Sequence, residues 1–132
     1  MGHRPLYGST AGVSPVLRPA FEPLFKQYGV DLYFCGHAHY YDRMSPLYNG
    51  TADPAGLNNP NSTMYVINGA GGHYMGLEAY SMTQPYTVVQ QHGAYSWSTL
   101  NFHNCTHMTI DTLFSRNNTI YDSATLYKNR IC

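Results

Sequence analysis

Apolar residues first gather in a helical pattern from Pro19 to Tyr28, where Phe21, Leu24, Phe25 and Tyr28 share one face. Pro19 suits a first helical position and Gly29 a left-handed stop, while Pro23 sits barely past the first turn and distorts the start. Val30 to Cys35 is an apolar run with β-branched and aromatic members, too short for a helix, and it ends abruptly at Gly36. The pattern predicts a buried strand that opens into a loop.

A second apolar strand is expected from Thr63 to Asn68, stopped by Gly69-Ala70-Gly71-Gly72, and a third from Tyr95 to Phe102. Between the first two, Asn49 to Ser62 is rich in Gly, Asn, Asp and Pro and reads as an exposed excursion. Thr106 to Phe114 and Ile120 to Tyr127 both alternate, with Met108, Ile110 and Phe114 on one face. Ser115 to Thr119 joins them, so a terminal hairpin centred near Asn117 is predicted. Antiparallel pairing about that centre sets Cys105 opposite about Asn129, which makes Cys105 and Cys132 the expected disulfide pair. Cys35 lies inside an apolar strand and is expected to be a buried free thiol.

Charged residues make up 11% of the chain, well below the roughly 25% of an average globular protein. Seven basic and seven acidic residues cancel, so no net field favours nucleic acid or an anionic membrane. No apolar run approaches the roughly 20 residues that cross a bilayer, and residues 1 to 15 lack the pattern of a signal peptide, so any signal is expected upstream. Four glycosylation sequons start at Asn49, Asn61, Asn104 and Asn117. With a candidate disulfide, they point to a secreted or extracellular protein bearing N-linked glycans. The three cysteines form no zinc-finger spacing.

The informative chemistry is Gly36-His37-Ala38-His39, two imidazoles separated by one small residue at the end of a buried strand. Such sheet edges display catalytic groups, and alternate residues of an extended segment approach the same side. Imidazole ligates zinc, iron and manganese, and paired metal ions clamp phosphoryl oxygens. A bare His-x-His is equally compatible with two loop histidines bonded to backbone or solvent, so the spacing permits a metal pair without establishing one.

The surrounding residues decide the matter. Gly2-His3-Arg4-Pro5-Leu6-Tyr7, Ala20-Phe21-Glu22-Pro23-Leu24-Phe25, Tyr28-Gly29-Val30-Asp31-Leu32 and Gly36-His37-Ala38-His39 resemble the last third of purple acid phosphatases. The resemblance continues through Tyr41-Asp42-Arg43, Pro46-Leu47-Tyr48, Asn68-Gly69-Ala70-Gly71-Gly72 and His103-Asn104-Cys105-Thr106-His107, so it spans nearly the whole chain. These enzymes are metallophosphoesterases, whose ligand motifs end with Val-x-x-His and Gly-His-x-His. His3 matches the fourth motif, and His37 and His39 match the fifth.

The resemblance implies an α/β fold, the C-terminal part of a four-layer α/β/β/α sandwich that is mostly β with one short helix. It divides the chain into a metal-ligand segment at 1–48, the exposed loop at 49–62 and a C-terminal β region at 63–132. It implies that His3 and His37 bind a divalent ion, Zn, Mn or Fe, that His39 binds Fe(III), and that the reaction is acid hydrolysis of phosphomonoesters. The family's other ligands lie in an Asp, a Gly-Asp-x-x-Tyr and a Gly-Asn-His segment, none of which occurs here. The N-terminal remainder of the enzyme is therefore an expected partner, and residues 1–132 alone are expected to be inactive. The Val of the fourth motif would fall before Met1, which marks Met1 as internal or as a truncated start.

Arg4 is expected in a structural ion pair, and Asp42-Arg43 in a bracing role behind the ligands. His73, His92, His103 and His107 lack ligand spacing and are expected to be structural or surface residues. Two other functions share the fold: a non-catalytic secreted glycoprotein used in assembly or recognition, and a phosphodiesterase or nucleotide phosphatase.

Overall fold

A computed structural model describes residues 1–10, 13–79 and 81–132. One helix, α1 (Leu17–Tyr28), precedes the strands β1 (Leu32–Cys35), β2 (Tyr41–Met44), β3 (Leu47–Tyr48), β4 (Thr51–Ala52) and β5 (Met64–Asn68). Then follow β6 (Thr87–Gln91), β7 (Ser96–Phe102), β8 (His107–Phe114) and β9 (Ile120–Tyr127). A four-stranded sheet has the order β1-β5-β2-β6, with β1 and β5 parallel and the other pairs antiparallel. A three-stranded antiparallel sheet has the order β7-β8-β9.

The two-residue period of the strands divides the core. Tyr33, Cys35, Tyr65, Ile67 and Met44 pack with Leu6, Tyr7, Tyr40 and Leu47 beside Leu17 and Phe25 of α1. Leu32, Phe34, Met64, Val66 and Tyr41 turn the other way, onto Met108, Ile110, Ala124 and Leu126 of the second sheet. Arg43 of β2 and Asp122 of β9 join the two sheets through a buried ion pair.

The helix begins two residues before the expected Pro19 and ends as expected, with Gly29 left-handed at φ 62° and its amide bonded to the Phe25 carbonyl. Its burial differs from the expected apolar face. Phe25 packs inward, but Phe21 and Leu24 are each 44% exposed and Tyr28 74%. The face turned inward instead carries Glu22, which accepts hydrogen bonds from the Tyr7 hydroxyl and, at 2.9 Å, from the Asn49 amide. These bonds satisfy the buried carboxylate and fix the helix's rotation.

The stretch from 49 to 62 is exposed at its sequons but less loose than expected. β4 pairs back on β3, and Asn59 donates its amide to the Tyr127 carbonyl at 2.9 Å. The expected C-terminal hairpin is present with the expected register, His107 facing Tyr127, and it belongs to a larger sheet through β7. Cys105 and Cys132 form a disulfide with Cα atoms 5.8 Å apart, and Cys35 is a buried free thiol. The side chains of Asn49, Asn61, Asn104 and Asn117 belong to exposed residues. Among the described residues no helix is long and apolar enough to cross a membrane.

Candidate metal centre

β1 ends at the edge where the chemistry gathers. The N-terminal segment runs alongside it in parallel: Gly2 donates to the Phe34 carbonyl at 3.1 Å, and Gly36 donates to the His3 carbonyl at 3.2 Å. This pairing delivers His3 and His37 to the same place from positions 34 apart in sequence, with His3 Nε2 and His37 Nδ1 separated by 3.0 Å. The rings meet edge to face, 4.9 Å between centroids.

His37 occupies an unusual backbone state. Its φ is 65°, and the Ala38 amide closes a three-residue turn onto the Gly36 carbonyl at 2.8 Å. This γ-turn geometry is strained for a residue with a Cβ, and such strain is kept where the surroundings enforce it. Desolvation, then the positive charges of Arg4 and His3, lower the His37 pKa. That favours the neutral imidazole, the form that ligates metal.

His39 is set differently. Its Nδ1 lies 3.1 Å from the Gly76 carbonyl, which can only accept, so Nδ1 carries the proton and Nε2 keeps a lone pair. Glu78 adds a contact from the same segment, receiving the His39 backbone amide at 3.3 Å. The His39 ring also lies against His73, with centroids 4.4 Å apart. The spacing-based reading of His73 as a structural or surface residue missed this, because 34 residues separate the two and no motif links them.

The loop that holds these groups needs glycine at 69. A Cβ there would lie 2.0 Å from the Ala38 carbonyl oxygen, so the chain after β5 passes directly over the His37–His39 turn. Behind it, Asp42 is buried, its Oδ2 bonded to the Ser9 hydroxyl at 2.9 Å. Its Oδ1 and the Thr87 hydroxyl are both buried without a hydrogen-bond partner among the described residues. Burial pushes the Asp42 pKa up to about 6. Arg43 is paired with Asp122 of β9 rather than with the ligand loop. The ion pair expected of Arg4 is not formed among the described residues; only its carbonyl is engaged, by the Tyr33 hydroxyl at 2.9 Å.

Zinc–nitrogen bonds of about 2.0–2.1 Å opening at 90–110° put two ligand atoms about 2.9–3.4 Å apart, and the His3–His37 nitrogens stand at 3.0 Å. That separation suits two ligands of one ion and equally a hydrogen bond between the two rings. Among the described residues no group of three or more His, Cys, Asp or Glu side chains converges as a metal site. His3 and His37 are brought together, and His39 stands apart on the Gly76–Glu78 segment.

Residues 62–123 match the family model described as iron/zinc purple acid phosphatase-like protein C. Over 129 residues the chain is 38% identical to acid phosphatase A of Cryphonectria parasitica, covering 96% of this chain and 26% of that protein. It is 34% identical over 141 residues to an acid phosphatase of Aspergillus ficuum, covering 97% and 23%. A purple acid phosphatase from yellow lupin seeds superposes with a TM-score of 0.87 at 24% identity, over 96% of this chain and 24% of that one. The chain thus spans about a quarter of the length of these relatives.

Proposed function

Because the chain belongs to the purple acid phosphatase family, as its C-terminal domain, we propose that it supplies the histidine side of a dinuclear centre that hydrolyses phosphomonoesters at acid pH. The observation that carries this reading is the 3.0 Å approach of His3 Nε2 to His37 Nδ1. In this reading His3 and His37 hold a divalent ion, Zn, Mn or Fe, and His39 holds Fe(III). Bound there, the ions polarise water and neutralise charge on the phosphoryl oxygens.

The chain's own residues prepare that site in three ways. Desolvation and neighbouring positive charge lower the His37 pKa and so favour its neutral form. The Gly76 carbonyl fixes the His39 tautomer, leaving Nε2 to bind. The close passage of Gly69 over Ala38 holds the two histidines on one rigid turn. The anionic ligands come from an upstream segment, because two cations about 4 Å apart repel strongly without bridging carboxylates. In the same reading the protein is secreted, with glycans on Asn49, Asn61, Asn104 and Asn117, and it has no nucleic-acid or membrane partner.

The test is a steady-state assay of the complete protein at about pH 5 with 4-nitrophenyl phosphate and its bis-ester, alongside metal analysis. Monoester turnover, lost by more than about 100-fold together with about one metal equivalent in His37→Ala, is expected. Residues 1–132 alone should stay at the rate of metal in buffer. A fully metallated protein without turnover would favour the assembly role, and preference for the diester the phosphodiesterase reading.

A further inference from the structure

The turn His73-Tyr74-Met75-Gly76 orients two imidazoles at once. Gly76 donates its amide to the His73 carbonyl at 2.9 Å, closing the turn, and Gly76 at φ 79° takes a backbone state that favours glycine. Its carbonyl then receives the His39 Nδ1 proton. Inside the same turn the Met75 amide donates to His73 Nδ1 at 3.3 Å, so His73 carries its proton on Nε2. The two rings lie against each other, 4.4 Å between centroids and tilted by 38°. They therefore hold opposite tautomers: His39 offers a lone pair at Nε2, and His73 offers an N–H at Nε2.

We propose that His73 is a substrate-positioning residue whose Nε2–H donates a hydrogen bond to an oxygen of the phosphoryl group bound beside His39. The assignment rests on the phosphatase reading above. Its chemistry is that of an anion held between a cationic centre and a neutral donor. His73 is exposed, and its Nε2 has no partner among the described residues, so the donor is free to meet an entering oxyanion. Gly72, next to His73, has φ 129°, a backbone state that favours glycine.

The test uses the complete, metal-loaded protein and inorganic phosphate as the probe, titrated by calorimetry at about pH 5, with iron and zinc counted in each variant. His73→Phe keeps a flat ring against His39 and deletes the donor, whereas His73→Gln restores an N–H. Phosphate binding should weaken about 10- to 100-fold in His73→Phe, the range for one hydrogen bond to a charged group, and stay within about 3-fold of wild type in His73→Gln. Metal content should be unchanged in both, and the KM for 4-nitrophenyl phosphate should follow the phosphate Kd. Phosphate affinity within 2-fold of wild type in His73→Phe overturns the assignment. So does an equal loss in both variants, or a loss of metal, which would make His73 only a support for His39. Wild-type protein that neither binds metal nor turns over monoester sinks the phosphatase reading itself, a result distinct from active protein indifferent to His73.

Discussion

Arg43 grips Asp122 through two hydrogen bonds of 2.6 and 2.8 Å, although 79 positions separate them in sequence. The Tyr41 hydroxyl adds a third at 2.6 Å. Burial alone would raise the Asp122 pKa, but the bonds from Arg43 and Tyr41 outweigh it and hold the carboxyl below its ordinary range. The pair is the polar joint between the sheet that carries the histidines and the sheet behind it. Arg43→Ala leaves a buried carboxylate without its cation and should cost about 3–5 kcal/mol. Urea unfolding of the complete protein should show it, and Arg43→Ala with Asp122→Ala together should cost less than the sum of the two. A fully additive pair would mean the contact carries no coupling.

Much of this frame can be read from the chain, and two of the unread parts share a cause. β1, β5, β8 and β9 announce themselves because their apolar residues are continuous or alternate cleanly. The hairpin register followed from its turn, which is why Cys105 and Cys132 could be paired. β2 was hidden because Tyr41-Asp42-Arg43-Met44 places two charges in a strand that is buried at every position. Their partners, Ser9, Gln90 and Asp122, are supplied only by tertiary structure. The helix's orientation failed for the same reason: Glu22 is turned inward by bonds to Tyr7 and Asn49. At the site, motif resemblance singles out His3, His37 and His39 as expected ligands, and the structure sets His3 beside His37, but His73 reaches His39 through a turn that no local pattern reveals.

Asp42 gives the domain a pH dependence whose sign can be worked out. Burial raises its pKa to about 6 in the folded state, against about 4 when unfolded. The native state therefore binds the proton more tightly. This contribution to stability is full below about pH 4 and is lost as pH rises through about 6. Asp42→Asn should match wild type at pH 4 and exceed it at pH 8 by on the order of 2–3 kcal/mol. Parallel stability curves for the two proteins between pH 4 and 8 would show that Asp42 titrates normally.

Thiol chemistry should separate the three cysteines. The Cys35 thiol is buried and pushed up to about 12, mainly by desolvation, so an aromatic disulfide reagent should find no reactive thiol in this domain at pH 8. Mild reduction should expose two, from Cys105 and Cys132. Opening a loop with a sequence separation of 27 should cost about 3–4 kcal/mol in the chain-entropy model. Loss of stability well under 1 kcal/mol on reduction would mean that the β8–β9 ladder alone holds the C-terminus.

Gly69→Ala is the smallest change that reaches the candidate metal centre without touching a ligand. The new Cβ would stand 2.0 Å from the Ala38 carbonyl oxygen and 2.8 Å from its carbon, both backbone atoms that cannot swing aside. Either β5 or the 36–39 turn has to move. β5 is fixed between β1 and β2 by ladders on both sides, so the turn yields first. Its γ-turn at His37 is already strained, and a shift there separates His37 Nδ1 from His3 Nε2. The expected outcome is therefore a loss larger in metal binding than in folding: zinc affinity of the complete protein down by at least about 10-fold, with the unfolding midpoint lowered by only a few degrees. Gly71→Ala, whose Cβ meets nothing closer than 4.0 Å, should leave both unchanged. If Gly69→Ala unfolds the domain while the surviving native fraction binds zinc normally, the passage over Ala38 supports the sheet rather than the histidines.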